Sequence, residues 1–371
     1  MVIDGKNADV ALRQISLFAP HILRLEFSNI DSNIILQFFQ RPDKFPNLKT
    51  LSITWKWASL SPDCIFSTTS LSGILDQCPK LDQFHLENCF LYENTSHLVE
   101  KISSKRIRRL SILNNYQFLD EVDRFYELKN MNELRISSCG SADAVQRVCQ
   151  TNRESLTSLE AHIDAWTSSA QTVKALRSIG ACSQLVRLHI GVSVRDTEAW
   201  TGLANLPKLR FFSIEVDRMP TKAFVSLFSC SFVGQLHSLK VQWNRRVDLE
   251  ELRCLERLQL RQLSLGFVED ISDEERSSVL DIVVDLVKKN SLLRRLKIET
   301  YFYNVNFLGC LYGATTMELR YIKIRQIFDS LNQNSVHYSL QQVRNFISFT
   351  HSLEYTMSES VLEIVIRRKM Q

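Results

Sequence analysis

Three residues come nearest to a chemically competent set in this sequence. Glu160, His162 and His189 would offer one carboxylate and two imidazoles, a donor set that suits zinc. His189 has the same place on its expected strand as Glu160 has on the strand before, so the three side chains are expected to lie near one another. We favour a solvated polar patch with a Glu–His hydrogen bond, because zinc ligands normally need supporting hydrogen bonds from further residues. We therefore predict no bound metal.

Catalytic motifs are absent from the rest of the sequence. It lacks H-E-x-x-H, G-x-x-x-x-G-K-[ST], G-x-G-x-x-G, G-x-S-x-G and C-x-x-C. The glycines are scattered, so no glycine-rich loop is available to hold a phosphate. We predict neither an enzymatic activity nor a cofactor.

The cysteines and the charge indicate where the protein works. The nine cysteines are an odd number without a paired spacing, so we predict reduced thiols and a cytoplasmic or nuclear location. Among them, Cys89 and Cys139 are expected to be small buried residues in the turns after two strands. No apolar run is long enough to span a membrane, and a formal net charge of +4 is too small and dispersed for a dedicated nucleic-acid binder.

A leucine-spaced pattern recurs along the chain and must position all of these residues. An apolar residue at position 1 is followed by apolar residues at positions 4 and 6, and the pattern returns at an average spacing of 27 residues. That spacing is typical of leucine-rich repeats. The best copy is LDQFHLENCFL, from Leu81 to Leu91. Position 1 is occupied by Ile22, Leu48, Leu81, Ile107, Met131, Leu156, Leu185, Leu209, Leu236, Leu260, Leu293 and Leu319.

Helical patterns lie between these copies, over Asn94–Lys105, Ala142–Asn152, Ala170–Ile179 and Asp273–Lys289. The sequence therefore predicts an α/β fold: a leucine-rich repeat solenoid, or horseshoe, of about 12 irregular repeats, with parallel strands on the concave face and helices on the convex face. We divide it into an N-terminal cap segment (1–21), the solenoid (22–335) and a C-terminal cap (336–371). The C-terminal cap is expected to hold a helix over 341–348 and a hairpin formed by 352–357 and 361–368.

At these apolar positions, over about residues 20–335, the chain resembles the irregular, cysteine-containing repeat region of F-box proteins. The segment SLEYTMSESVLEIVIRRK is loosely similar to the C-terminal ends of such proteins. The resemblance implies a non-catalytic protein–protein interaction module that selects substrates for a cullin–RING ubiquitin ligase. It also implies Skp1 and the cullin machinery as partners if an F-box lies upstream.

The F-box itself is not visible, since only 21 residues precede Ile22 and three helices need more. Two alternatives stay open at this point. The chain is a truncated or alternatively spliced substrate receptor, or it is a ligase-independent repeat scaffold or inhibitor.

The expected binding surface follows from the alternation of side chains along a strand, which places positions 3, 5 and 7 on the concave face. These positions carry a net charge of −1 over the first six strands and +4 over the last six, with Arg294 and Arg320 beside them at position 2. We therefore predict that an acidic or phosphorylated protein segment binds the last strands. The candidate partner-binding residues are Arg187, His189, Phe211, Lys240, Arg295, Lys297, Tyr321, Lys323 and Arg325.

Phe211 and Tyr321 are the aromatic residues expected on that face. Aromatic side chains carry much of the energy of protein interfaces, so Phe211 is a candidate anchor unless a loop covers it. RNA binding is disfavoured because the basic strands lack stacking aromatics apart from Tyr321. The tryptophans lie off the concave positions and are expected to pack or to line the rim; they are Trp55, Trp57, Trp166, Trp200 and Trp243.

Overall fold

The computed structural model describes residues 1–4, 7, 10–11, 18–40, 45–55, 65–92, 94–113, 122–163, 167–268, 273–300, 311, 319–327, 351–357 and 361–368. The chain divides into two compact units, Met1–Leu185 (unit 1) and Val186–Gln371 (unit 2).

Unit 1 is built on a parallel sheet. Its strands are β1 (Val2–Asp4), β2 (Arg24–Ser28), β3 (Thr50–Thr54), β4 (Ile65–Ser67), β5 (Gln83–Glu87), β6 (Phe90–Tyr92), β7 (Arg109–Leu113), β8 (Glu133–Gly140) and β9 (Ser158–Ile163). The sheet order is β1-β2-β3-β5-β7-β8-β9, and β4 pairs separately with β6. The helices are α1 (Ser32–Phe39), α2 (Thr68–Asp76), α3 (Ser96–Lys105), α4 (Ala142–Thr151) and α5 (Ser169–Gly180), with 3-10 turns at Ala19–His21 and Val122–Glu127.

Unit 2 repeats this plan and ends differently. Its strands are β10 (Arg187–Val192), β11 (Phe211–Val216), β12 (Ser238–Trp243), β13 (Gln262–Phe267), β14 (Arg295–Thr300), β15 (Tyr321–Ile327), β16 (His351–Met357) and β17 (Val361–Arg368). Strands β10 to β15 are parallel and in sequence order, whereas β17 pairs antiparallel with β15 and β16 pairs antiparallel with β17. The helices are α6 (Thr197–Thr201), α7 (Thr221–Leu227), α8 (Leu249–Leu255) and α9 (Asp273–Lys289), with 3-10 turns at Gly202–Asn205 and Ser231–Gln235.

Within each unit, the paired strands keep one register, which places the apolar positions opposite one another. In unit 1, Leu25 pairs with Leu51, which pairs with Phe84. In unit 2, Leu263 pairs with Leu296, which pairs with Ile322. These side chains are buried, and each stabilises its unit by about 1.5–3 kcal/mol relative to an exposed side chain.

A backbone hydrogen-bond pattern marks the start of the strands in both units. The N–H groups at positions 2 and 3 of a repeat both donate to the position-2 carbonyl of the repeat before it. Lys49 and Thr50 donate in this way to Leu23 in unit 1, and Arg294 and Arg295 donate to Arg261 in unit 2. Because the same bonds recur between consecutive repeats within each unit, every repeat joins the sheet in the same register.

The helices cover the apolar face of each sheet. Phe38 on α1 lies 5.2 Å from Phe27 on β2, and Phe224 on α7 lies 5.9 Å from Trp243 on β12, measured between ring centroids. Several helices are preceded by a capping residue whose side chain accepts a hydrogen bond from a backbone N–H group of the first turn. This bond satisfies an N–H group that would otherwise be unpaired. These capping residues are Asp31, Ser67, Ser141, Ser168, Asp196 and Asp248.

The α/β leucine-rich repeat fold is thus confirmed, since the strands lie at the repeated apolar positions. The four helices expected from the sequence are present as α3, α4, α5 and α9, and 351–357 and 361–368 form the expected hairpin. Trp200 and Trp243 are buried, as predicted. The expected helix over 341–348, together with Trp57 and Trp166, lies outside the described residues.

Candidate interaction surface

The sheet face formed by positions 3, 5 and 7, here called the open face, carries the predicted binding residues. All nine lie in unit 2, on β10, β11, β12, β14 and β15. Arg187, Lys240, Arg295, Lys297 and Arg325 are exposed, and His189, Phe211, Tyr321 and Lys323 are half-buried. On each of these strands, the position-4 and position-6 residues between them are buried. The side-chain alternation expected from the sequence therefore holds along this face.

A depression of about 420 Å³, here called the cationic groove, crosses the open face from β12 to β15 and reaches β17. Its positive lining residues are Lys240, Arg295, Lys297, Lys323 and Arg325. The acidic residues Glu299 and Glu363 also line it, so five positive charges face two negative charges. The groove therefore brings together five of the nine predicted residues around a net positive charge.

Two of the five cations are already paired. Lys323 Nζ lies 2.7 Å from Glu363 Oε2, and Arg325 Nη1 donates to Glu299 Oε1 at 3.0 Å. Among the residues that the structure describes, Lys240, Arg295 and Lys297 form no ion pair with an acidic side chain. The unneutralised charge therefore lies on the β12–β14 side of the groove.

Register explains why these cations converge. Lys240, Ser264, Lys297 and Lys323 are directly opposite one another on successive strands. Adjacent parallel strands lie about 4.8 Å apart, so Lys240 and Lys297 lie across Ser264 with about 10 Å between their backbones. Like charges in such a row repel one another, and an anion above them would remove that repulsion.

Three predicted residues lie at the other end of the open face of unit 2. The Arg187 guanidinium stacks over the Phe211 ring, with Cζ 3.9 Å from the ring centroid. The edge of His237 faces the same ring at 6.4 Å, and His189 Nε2 lies 3.5 Å from Glu215 Oε1. Phe211 is therefore partly covered by an arginine from the neighbouring strand, an arrangement that leaves an amphipathic platform.

The rim of this face, at position 2, is also positive. It carries Arg210, Arg261, Arg294 and Arg320, with His237 among them. Burial lowers the pKa of His237, and Arg261 and Arg210 lower it further. His237 therefore tends to remain neutral while the arginines supply the charge.

Sequence reasoning missed Glu363 because this residue lies outside the repeat pattern. It lies on β17, opposite Arg325 in the antiparallel pair, and its carboxylate reaches Lys323. Glu363, Val365 and Arg367 are every second residue of β17 and therefore lie on one of its faces, a pattern that indicates a strand. The pattern does not indicate which strand β17 pairs with.

In unit 1 the proposed polar patch at Glu160 is not solvated, which corrects the expectation. Glu160 is 6% exposed, and Arg135 from the neighbouring strand donates to its Oε2, with Nε at 3.1 Å and Nη2 at 3.0 Å. His162 Nε2 lies 3.9 Å from Glu160 Oε1. The carboxylate thus forms an ion pair with Arg135, which has the same repeat position on the preceding strand.

Cys139 also differs from the expectation of a buried turn residue, because it is exposed. The pairing of β8 with β9 shifts register between Arg135 and Cys139, so Cys139 lies within a continued strand. Cys89, by contrast, is buried in the turn after β5, as predicted.

A second basic depression, of about 620 Å³, lies at the starts of β5, β7 and β8 in unit 1. It is lined by Lys80, Lys105, Arg106, Arg108 and Lys129, while Asp82 accepts a hydrogen bond from Arg108 at 2.9 Å. Lys80 donates to Asn47, and Lys105 lies 3.4 Å from Asp76. These residues lie before the strands, outside positions 3, 5 and 7, so the alternation of side chains along the strands does not point to them.

No helix in the described part of the chain has the length and apolar character needed to cross a bilayer. No family model matches the sequence, and no curated protein matches it significantly. A chain of the yeast Rad7 and Elc1 complex is structurally similar, with 15% identity, coverage of 79% of this chain and 82% of that chain, and a TM-score of 0.43.

Two further solved structures are similar over part of their length. The TLR13–ssRNA13 complex shows 14% identity, coverage of 88% of this chain and 53% of that chain, and a TM-score of 0.37. The LRR ectodomain of the Arabidopsis receptor kinase HAESA, bound to an N-terminally extended IDA peptide hormone, shows 12% identity, coverage of 78% and 48%, and a TM-score of 0.29. The chain spans about half the length of these two proteins. Because these scores are low, the fold assignment is based on the strand register and the repeated backbone hydrogen bonds.

Proposed function

We propose that this protein is a non-catalytic interaction module whose cationic groove binds an acidic or phosphorylated segment of a partner protein. The observation that carries the proposal is the set of three cations, Lys240, Arg295 and Lys297, that line one groove without an acidic partner among the described residues. Charge-assisted hydrogen bonds from such side chains to carboxylates or phosphates are shorter and stronger than neutral ones. The groove therefore favours an anionic ligand.

Phe211, Arg187 and Tyr321 extend the same proposal beyond the groove. Aromatic and arginine side chains dominate the binding energy of protein interfaces, and these three lie on the open face beside the cations. A bound segment that follows the open face from β15 toward β10 would meet the charged groove first and the Phe211 platform second. His189 lies beside that platform on β10.

The biological role that we propose is substrate recognition of the kind carried out by the repeat regions of F-box proteins in cullin–RING ligases. The alternative is a ligase-independent scaffold or inhibitor that uses the same surface. Co-purification with Skp1 and a cullin separates the two, because a scaffold would recover its partner without them.

Affinity capture with mass spectrometry tests the binding surface. We expect Lys240→Glu combined with Lys297→Glu to abolish capture of anionic partners and to remove the salt dependence of binding, since each substitution reverses an unpaired charge. The matched control combines Lys222→Glu and Lys288→Glu, which reverse two exposed lysines on helices α7 and α9 of the same unit. If the groove double variant captured its partners as well as the control double variant did, the groove would not be the binding site.

A further inference from the structure

We infer that the cationic groove is a phosphoryl-binding site centred above Ser264, between Lys240 and Lys297, and that Glu363 limits the site on the hairpin side. The inference rests on the proposed function and deepens it, because it names one ligand class, a phosphorylated residue of a partner protein, in place of acidic segments in general.

The floor of the site is strand β13, which carries small residues at positions 5 and 7, where the strands on either side carry long ones. Ser264 lies between Lys240 and Lys297 in register. Two residues further along the same face is Gly266, and the Gln242 amide of the neighbouring strand lies across it: a β-carbon at Gly266 would be 2.0 Å from Gln242 Oε1. The part of the cationic groove above β13 is therefore filled at Gly266 by the Gln242 side chain and remains open above Ser264.

The donors around this part of the groove match a phosphoryl group. Lys240 and Lys297 each have three N–H donors, Ser264 has a hydroxyl, and Arg295 presents a guanidinium two residues before Lys297 on the same face. A phosphoryl group carries about −1.5 to −2 charges and three acceptor oxygens, whereas a carboxylate carries one charge on two oxygens. The three unpaired cations around Ser264 therefore match the charge of a phosphoryl group better than that of a single carboxylate.

The two acidic residues of the groove disfavour the competing ligand, a run of aspartates and glutamates. Glu299 and Glu363 lie on the β14–β17 side, where they hold Arg325 and Lys323. An acidic run long enough to cross the groove would meet both carboxylates, and like charges repel. A single compact dianion above Ser264 satisfies the free cations and stays on the other side of the groove.

Fluorescence anisotropy with three labelled peptide pools tests the inference on the 371-residue chain. The pools share random neutral flanks and differ at the central residue, which is phosphoserine, glutamate or serine. We expect the phosphoserine pool to bind about tenfold more tightly than the glutamate pool, because it gains at least one further charge-assisted hydrogen bond. Inorganic phosphate should compete with it.

Two pairs of variants locate the site. Ser264→Ala should weaken phosphopeptide binding about tenfold through the lost hydroxyl donor, whereas Ser213→Ala, in the same row on β11 and outside the groove, should leave binding unchanged. Glu363→Gln should strengthen binding about threefold by freeing Lys323. Glu354→Gln, which neutralises the other described carboxylate of the hairpin, should not, since Glu354 pairs with Arg367 outside the groove.

The outcomes distinguish failure of the phosphoryl-binding inference from failure of the proposed function. If the glutamate and phosphoserine pools bind equally, the phosphoryl inference is wrong and the proposed function stands. If neither pool binds above the serine pool, both are wrong. Displacement of the phosphopeptide by a single-stranded RNA oligonucleotide that binds more tightly would also overturn the inference, because the groove would then bind nucleic acid. Unfolding midpoints equal to that of the unmodified protein confirm that each variant is folded.

Discussion

The Trp243 indole donates a hydrogen bond of 2.8 Å to Oε2 of Glu251, and both side chains are completely buried. Trp243 lies on β12 and Glu251 on α8, so this bond joins a strand to the helix that follows it. Arg245 donates to the other carboxylate oxygen, Oε1. A buried carboxylate therefore satisfies the indole N–H and neutralises an arginine at the same time.

Removal of this carboxylate should destabilise unit 2 strongly. We expect Glu251→Ala to lower the free energy of unfolding by about 3–5 kcal/mol, because it leaves Arg245 and the Trp243 N–H without their partner. Urea denaturation followed by Trp fluorescence measures this loss. Glu250→Ala, which removes an exposed carboxylate on the same helix, should cost less than about 1 kcal/mol. Similar losses in the two variants would contradict the structural role of Glu251.

Two glycines in unit 1 should respond to alanine in opposite directions. Gly140 follows the bulged part of β8, and a β-carbon there would be 2.6 Å from Cε2 of the buried Tyr126 ring. Gly73 lies within helix α2, and its β-carbon would meet nothing within 4 Å. Gly140→Ala should therefore destabilise the protein by about 1–3 kcal/mol through overpacking.

Gly73→Ala should stabilise the protein by about 0.5–1 kcal/mol, because alanine loses less backbone entropy than glycine when it enters a helix. Calorimetric unfolding of the two variants against the unmodified protein checks both signs. A stabilising Gly140→Ala would mean that the ring of Tyr126 does not pack against β8 as described.

Two thiols, the buried Cys78 and the half-buried Cys254, should make the protein less stable at alkaline pH. Burial raises the pKa of Cys78 to about 12 and that of Cys254 to about 12, whereas the pKa of a thiol in the unfolded chain is about 8.5. Above that value the unfolded state loses protons that the folded state keeps, so the free energy of unfolding falls by about 1.4 kcal/mol per pH unit for each thiol. The contribution is fully present below about pH 8.5 and is lost progressively toward pH 12.

The measurement is the urea midpoint between pH 7 and pH 10, compared with the Cys78→Ala, Cys254→Ala double variant. Both proteins lose stability from other groups in this range, so the difference between their slopes is the quantity of interest. Parallel slopes would show that these thiols ionise as easily in the folded protein as in the unfolded one.

The sequence was a sufficient guide to the strands and the longer helices, because one residue pattern decides both. A strand with apolar residues at positions 4 and 6 has a single buried face, and a one-residue shift would expose Leu86 or Ile190. Helix α9 has enough turns for its 3.6-residue period to be visible. Helices α6 to α8, with 5 to 7 residues, are too short for that period, and the three-residue strands β4 and β6 are too short for any alternation.

The site was less predictable because it depends on partners from distant segments. The positions of Lys240, Lys297 and Lys323 on the open face follow from their repeats, but the neutralisation of Lys323 depends on which strand lies beside β15. Glu363 does so only because β17, rather than β16, pairs with β15. Arg135 and Glu160 occupy the same position of consecutive repeats, so their pairing was readable from the repeat pattern, whereas Cys139 left its expected turn because of a local shift in register.

The antiparallel placement of β17 beside β15 also limits how this molecule can grow. A new repeat adds its strand in parallel to the free edge of the last one, and here that edge is occupied by a strand of opposite direction. Gene duplication can therefore lengthen the array by copying internal units, but a unit inserted directly after β15 would have to displace the hairpin and would release Lys323 from its carboxylate. The hairpin therefore both blocks a further parallel strand beside β15 and supplies the carboxylate that neutralises Lys323.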